Sequence, residues 1–307
     1  MKVLCIKFGI HPARSRGQNF VIESAVIDRM VEAAEISPED CVVEIGPGFG
    51  VLTVALAEKA KKVVAVEIDT NVIGAAEYML EEYKNVELVK GDILKMSNEK
   101  LTEMLFSHPE RSAAREAEGS HAVQDVRSLH SAHASVEMTR PLSYKVVSNL
   151  PYSITSKVLR KFTESEPKPS VMVLMVQKEV AERVCALPGE MSMLSVAVQY
   201  YGKPEIVALV SRNAFWPEPE VDSAILRVVT RSLGAGDLVT KTDERHLFQI
   251  VRIGFSSRRK QLQNNLTAGL HISREQAFEA LRKVNLPESI RPQELSVDNW
   301  IALAGVL

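Results

Sequence analysis

Between residues 24 and 230, short β-branched runs alternate with stretches whose apolar residues recur at helical spacing. The runs at 41–45, 63–66, 144–148 and 171–176 hold apolar residues at successive positions, not only at every second one, and a shorter run lies at 86–89. A strand without a polar face must be covered on both sides, the condition met by a parallel sheet with helices on each face. The intervening segments supply such helices. Ile27, Met30, Val31 and Ala34 share one face behind Ser24, a candidate N-cap. Leu52, Ala55, Leu56 and Lys59 form a second series, and Val72, Ala75, Ala76 and Met79 a third. Two later runs, near 206–210 and 224–229, are joined by a proline-bearing loop instead of a helix and are expected to finish the sheet as a hairpin. The expectation is an α/β fold, Rossmann-like, with a mostly parallel seven-stranded sheet.

The alternation stops at the glycine-bearing stretch 232–236, and the pattern is helical from there to the end. This divides the chain into 1–231 and a small α-helical domain, 232–307. Residues 107–140 break the rhythm: they are rich in Ser, Ala, His, Arg and Glu and read as an inserted, disordered loop. Four of the seven histidines lie there (His108, His121, His130 and His133), but none has a well-placed acid or cysteine partner, so no metal site is expected. The three cysteines are scattered without CxxC spacing, which suits a reducing compartment. No apolar run nears the roughly 18–20 residues needed to cross a bilayer, and the N-terminus lacks the apolar core of a secretory signal. A cytoplasmic protein without membrane contact is expected. Net charge is −2, so contact with a polyanion would have to come from patches. Two are visible: Lys2, Lys7, Arg14 and Arg16 near the N-terminus, and the stretch from Arg252 to Lys283 that includes Arg258, Arg259 and Lys260.

Glu44-Ile45-Gly46-Pro47-Gly48-Phe49-Gly50 falls where the first of these strands should pass into a helix. Glycines there permit a tight turn and let a ligand approach the backbone. Nicotinamide and flavin enzymes use a similar device, but GxGxG spacing preceded by Glu44 favours S-adenosylmethionine, whose amino-acid end is cationic. Glu67 ends the next strand, placed to accept from both ribose hydroxyls, and Asp92 follows the third, placed to accept from the cofactor's adenine amine. Each acid alone could be a helix cap. Three at successive strand ends define an edge where open α/β sheets bind ligands.

The fourth strand ends in Ser148-Asn149-Leu150-Pro151-Tyr152. An exocyclic adenine amine is a poor nucleophile because its lone pair is delocalised into the ring. Acceptance from that amine by the Asn149 side-chain oxygen and the Leu150 carbonyl would draw the nitrogen towards tetrahedral geometry. Pro151 would fix the backbone that aims that carbonyl, and Tyr152 offers a ring for the base to stack on. Catalysis of this kind is positioning and hydrogen bonding.

With these motifs the sequence closely resembles the ribosomal RNA adenine N6-dimethyltransferases of the KsgA/RsmA type. The resemblance spans nearly the whole chain outside 107–140. It includes Gly17-Gln18-Asn19-Phe20-Val21, Gln177-Lys178-Glu179-Val180-Ala181-Glu182-Arg183 and Phe215-Trp216-Pro217-Glu218-Pro219-Glu220-Val221-Asp222-Ser223-Ala224. It continues with Phe255-Ser256-Ser257-Arg258-Arg259-Lys260-Gln261-Leu262 and Arg291-Pro292-Gln293-Glu294-Leu295. It implies a class I methyltransferase domain followed by a helical RNA-binding domain. Asn19, Val21, Gly46, Glu67, Asp92 and Asn149 would hold the cofactor. Val21 departs from the family's usual leucine, a change that a backbone contact would survive. Phe215 would stand beside the target base opposite Tyr152, with Trp216 as a neighbour that could share the role. Arg258, Arg259 and Lys260 would form a basic helix that contacts RNA phosphates. The implied activity is dimethylation of two adjacent adenines in a hairpin near the 3′ end of small-subunit (16S) rRNA, by a monomer acting on the assembling 30S subunit. Two other readings stand beside it. One is a large-subunit adenine methyltransferase of the macrolide-resistance type, which generally lacks the Arg-Arg-Lys and Arg-Pro-x-Glu-Leu blocks. The other is a non-catalytic RNA-binding assembly factor, which would be expected to show erosion of the acids or of the Asn149–Tyr152 motif.

Overall fold

The computed structural model describes residues 2–10, 19–107, 143–231 and 241–307. The segment 108–140, its four histidines, Arg14, Arg16, and the glycine-bearing stretch 232–236 lie outside the described residues.

Among the described residues nine strands follow in chain order: β1 (Phe20–Val21), β2 (Cys41–Ile45), β3 (Lys62–Glu67), β4 (Val86–Lys90), β5 (Tyr144–Asn149), β6 (Val171–Gln177), β7 (Gly202–Val210), β8 (Phe215–Trp216) and β9 (Ser223–Thr230). Seven form one sheet in the order β4-β3-β2-β5-β6-β9-β7. β2, β3, β4, β5 and β6 run parallel. β9 runs antiparallel between β6 and β7, as expected of a terminal hairpin. The direction of winding reverses between β2 and β5. Open α/β sheets bind ligands at such a switch point, outside the carboxyl ends of the strands.

β2, β3, β5 and β6 hold apolar residues at successive positions because both of their faces are buried. Val42, Val63, Val147 and Val173 join one core with Met30 and Leu56. Val43, Val64, Val146 and Met172 turn to the opposite core with Leu159 and Phe162. The covering helices begin a residue or two from the positions read in the sequence. Ser24 is the first helical residue of Ser24–Ala33 and not its cap; Glu23 occupies the cap position without a side-chain cap bond. Asp69 does cap Thr70–Leu80, accepting from the Asn71 amide.

The ribbon of β1 with β8 has no signal in the sequence pattern, since two residues are too few for a period. Phe20 pairs with Trp216 and Val21 with Phe215. The ribbon carries the N-terminal segment across the carboxyl edge of the sheet. Before it, helix Lys2–Phe8 packs on Thr70–Leu80, with Cys5 and Ile10 buried among Phe49, Val72 and Ala75.

Helices Lys241–Gly254, Leu262–Leu270, Arg274–Lys283 and Val297–Ala304 enclose a third core around Trp300, which is fully buried. Met191, Val196, Tyr200 and Tyr201 belong to this core as well. Helix Met193–Tyr201, which precedes β7, therefore serves both the sheet and the C-terminal helices. Packing does not follow a single cut in the chain.

Candidate active site

Five segments meet at the carboxyl edge of the sheet and enclose a cavity of about 270 Å³. Its wall includes Asn19, Gly46, Glu67, Asp92, Asn149, Leu150, Pro151 and Tyr152. Residues that span more than a hundred positions in sequence converge here because β2, β3, β4 and β5 are parallel, so their last residues all arrive at one edge.

The turn after β2 is held by the Gly46 amide, which donates to the Val66 carbonyl at 2.8 Å. Gly46 and Gly48 have φ of 66° and 58°, a region that side chains other than glycine's rarely adopt. A Cβ on Gly46 would approach Pro151 to 3.9 Å, filling the gap between the turn and the Asn149–Tyr152 segment. A Cβ on Gly48 would come within 2.8 Å of the Phe20 ring. The turn thus leaves bare backbone facing the cavity.

Glu67 is buried, and its two oxygens accept from the Gly48 amide at 3.1 Å and the Asp69 amide at 2.8 Å. A carboxylate offers about four lone-pair sites, so acceptor capacity remains for two hydroxyls. Burial nonetheless pushes its carboxyl above the ordinary range, against the pull of the amide donors. Asp92 is half-buried; one oxygen accepts from the Leu94 amide at 3.0 Å and the other lies 3.9 Å from Lys95 Nζ. Between these acids stand Ile68, exposed, and Ile93, buried, both on the cavity wall. These isoleucines are not among the residues expected from sequence. A large apolar residue directly after each acid at a strand end was the available signal, and the two supply apolar walls for a flat ring. These acids, the bare glycine turn and the apolar walls fit the ribose, amino-acid end and adenine of S-adenosylmethionine.

Glu44 departs from expectation. It lies behind the turn, 2 % exposed, beside a smaller cavity of about 40 Å³ shared with Val21, Gly46 and Asn149. One of its oxygens, Oε2, has no partner among the described residues. Burial pushes the carboxyl up to about 8, with the Glu67 carboxylate adding to the effect. Val21, expected to contact the cofactor, lines this smaller cavity and not the main one.

At the reacting end, Asn149 Nδ2 donates to the Asn19 carbonyl at 2.9 Å. Pro151 has φ −57° and ψ 127°, which holds the preceding peptide in a fixed orientation. The Tyr152 hydroxyl lies 2.7 Å from Ser223 Oγ, and this bond ties the ring to β9. Burial raises the Tyr152 phenol, keeping it neutral.

Phe215 is expected beside the target base. It is 2 % exposed and sits in the core with Val21 and Ile27, away from the cavity wall. The β1–β8 pairing accounts for this: Val21 and Phe215 lie opposite each other and both turn inward. Trp216, half-buried against Phe20 and Phe49, takes the other face. The basic run does not form the expected helix. Arg258, Arg259 and Lys260 are exposed in the turn between Lys241–Gly254 and Leu262–Leu270, not in a helix. Asn265, buried beneath, holds that turn by donating to the Gly254 and Ser257 carbonyls at 2.5 and 3.0 Å. The remainder of that charged stretch is partly neutralised: Arg282 pairs with Glu288 and Lys283 with Glu279.

A switch-point cavity with a glycine turn and successive strand-end acids, on a sheet of this order, defines the Rossmann-like class I methyltransferases. Within that class the chain belongs to the ribosomal RNA adenine dimethylase family, whose model matches residues 11–304. It is 37% identical over 306 residues to a Ribosomal RNA small subunit methyltransferase A of Bacillus mycoides, covering 98% of this chain and 93% of that one. It is 34% identical over 299 residues to the protein of that name from Dehalococcoides mccartyi, covering 97% and 89%. Among solved structures, a dimethyladenosine transferase from Plasmodium falciparum superposes with a TM-score of 0.68 at 25% identity, over 92% of this chain and 95% of that one. The 23S rRNA methyltransferase ErmE shares the fold, with a TM-score of 0.67 at 24% identity over 94% and 99%.

Proposed function

We propose that this chain transfers methyl groups from S-adenosylmethionine to the N6 amines of two adjacent adenines near the 3′ end of small-subunit rRNA, within the assembling 30S subunit. The observation that carries the reading is the placement of Asn149, Leu150 and Pro151 on the wall of the same cavity as Glu67 and Asp92. Methyl acceptor and donor can therefore meet in one enclosure.

Glu67, Asp92 and the bare backbone of Gly46 would hold the cofactor, with Asn19 closing the cavity from the N-terminal side. When bound, it supplies an electrophilic methyl group on a sulfonium. The chain's own residues position the amine. Asn149 Oδ1 and the Leu150 carbonyl accept its two N–H bonds and localise the nitrogen lone pair. Tyr152, tied to Ser223, presents a ring for the target base. Phe215 would stand behind Tyr152 on the side of the target base. No strong base is needed, because the nitrogen becomes acidic once it is methylated. Arg258, Arg259 and Lys260 would contact phosphates as an exposed turn.

The small-subunit target is favoured over the large-subunit one by the names of the two curated relatives and by the presence of both C-terminal blocks. A non-catalytic assembly factor is disfavoured because no cofactor acid or Asn149–Tyr152 residue is lost. Among the described residues no helix is long and apolar enough to cross a membrane; we take the protein to be cytoplasmic and monomeric. The insertion at 107–140 leaves between β4 and β5 and is taken to be inert.

The test is mass spectrometry of adenines after unmodified small or large subunits are incubated with enzyme and cofactor. Dimethyladenine in the small subunit alone is expected; modification of the large subunit alone would overturn the assignment. Asn149→Ala should keep cofactor binding and lose methyl transfer by a factor of about 10² or more.

A further inference from the structure

We infer that the backbone carbonyl of Asn19 is a positioning group for the reaction: it selects which end of the Asn149 amide faces the substrate. The inference deepens the proposed reaction and rests on it.

A side-chain amide is planar, with a donor at one end and an acceptor at the other. Which end enters the cavity decides the chemistry. With Oδ1 inward, Asn149 accepts from an amine; turned by half a rotation it presents NH2, donor against donor, and cannot grip the substrate. The Asn19 carbonyl can only accept. Placed 2.9 Å from the Asn149 amide, it binds Nδ2 and leaves Oδ1 as the end available to a ligand.

The carbonyl is itself held in place. Asn19 precedes β1, whose Phe20 and Val21 pair with Trp216 and Phe215. The Ile22 amide extends the ribbon by donating to the Ala214 carbonyl at 2.8 Å. The Phe20 ring lies 4.6 Å from that of Phe49 and rests on Gly48, where even a methyl group would intrude to 2.8 Å. A ribbon of two-residue strands contributes little to the sheet, yet it fixes the register of one carbonyl against the end of β5. The N-terminal segment thus does more than cover the cofactor. It completes the acceptor.

Asn149→Asp separates this idea from the reaction reading. The aspartate is close in shape and keeps an acceptor oxygen, but once ionised it has no hydrogen to give the Asn19 carbonyl, and two acceptors oppose each other. Protonated, its hydroxyl can donate to Asn19 while the other oxygen accepts from the amine. Single-turnover methylation of unmodified small subunits would be followed from pH 5.5 to 8.5 for wild type, Asn149→Asp and Asn149→Ala. Cofactor affinity would be measured at each pH. Glu67, Asp69, Asp92 and Tyr152 line the same cavity and Glu44 the adjoining one, so the wild-type profile is the reference for every group except the one introduced.

The expected result is an aspartate variant at least tenfold slower than wild type at pH 8.5 that recovers, relative to wild type, as pH falls. Its cofactor affinity should stay within about threefold. An aspartate variant near wild-type rate at pH 8.5, or one whose ratio to wild type is flat or falls on acidification, overturns the role of Asn19. Either result leaves the reaction reading intact if Asn149→Ala is inactive; an active Asn149→Ala overturns that reading itself. Phe20→Ala gives a second readout: loosening the ribbon should lower kcat by more than it raises the cofactor Kd, with Phe20→Tyr restoring most of the rate. Equal changes in both would count against the inference.

Discussion

Glu44 carries a cost in stability whose size follows from its surroundings. The side chain is 2 % exposed, Oε2 lacks a partner among the described residues, and burial raises the carboxyl to about 8 from an ordinary value of 4.5. The unfolded chain ionises this group near 4.5, whereas the folded chain holds the proton until about pH 8. A raised folded value means that the contribution to stability is fully present below the unfolded pKa and is lost as pH rises through the folded one. Each pH unit in that window removes about 1.4 kcal/mol. At pH 7 the loss reaches about 3 kcal/mol, and it levels off above pH 8. Glutamine cannot ionise, so Glu44→Gln should abolish this slope. Its absolute stability is a poorer measure, because the new amide would bring a buried donor of its own at about 1–3 kcal/mol. The assay is therefore a difference of differences: urea unfolding of both proteins, without cofactor, at pH 5.5 and 7.5. Between those pH values wild type should lose about 2–3 kcal/mol more than the variant. Parallel behaviour of the two proteins would refute the reasoning, since it would mean that Glu44 is ionised in the fold and has found a counter-charge.

Other substitutions probe other parts of the molecule. Glu67→Ala removes the acceptor for two backbone amides and, on the proposed cofactor placement, for the ribose, and calorimetry should show cofactor affinity reduced by about tenfold or more. Gly254→Ala would bring a Cβ to 2.3 Å from the fully buried Trp300 ring; it should destabilise the C-terminal helices by about 1–3 kcal/mol, read from Trp300 fluorescence during unfolding. Replacing Arg258, Arg259 and Lys260 together by glutamine should leave cofactor binding unchanged. It should lower the dependence of log affinity for the rRNA hairpin on log salt by about 2–3, if each residue engages one phosphate; an unchanged slope would remove these residues from the interface.

The sequence determined the sheet because burial on both faces writes itself directly into composition: runs such as 41–45 and 63–66 have no polar face to spare. It also placed Glu67, Asp92 and Asn149 correctly at strand ends, since parallel strands separated by helices must all deliver their carboxyl ends to one edge. What it could not determine were relations between side chains distant in the chain. Phe215 pairs with Val21 across the short ribbon, and that pairing, which sets how deep the ring lies, has no trace in the local pattern. Arg258 to Lys260 looked helical until buried Asn265 was seen to hold them in a turn. Glu44 stood in line with the other acids, yet its strand position sent it behind the glycine turn. The hydrogen bond between Asn149 and Asn19 joins residues 130 positions apart. Local pattern records which residues must be buried; only the packed fold decides which polar atoms then face one another.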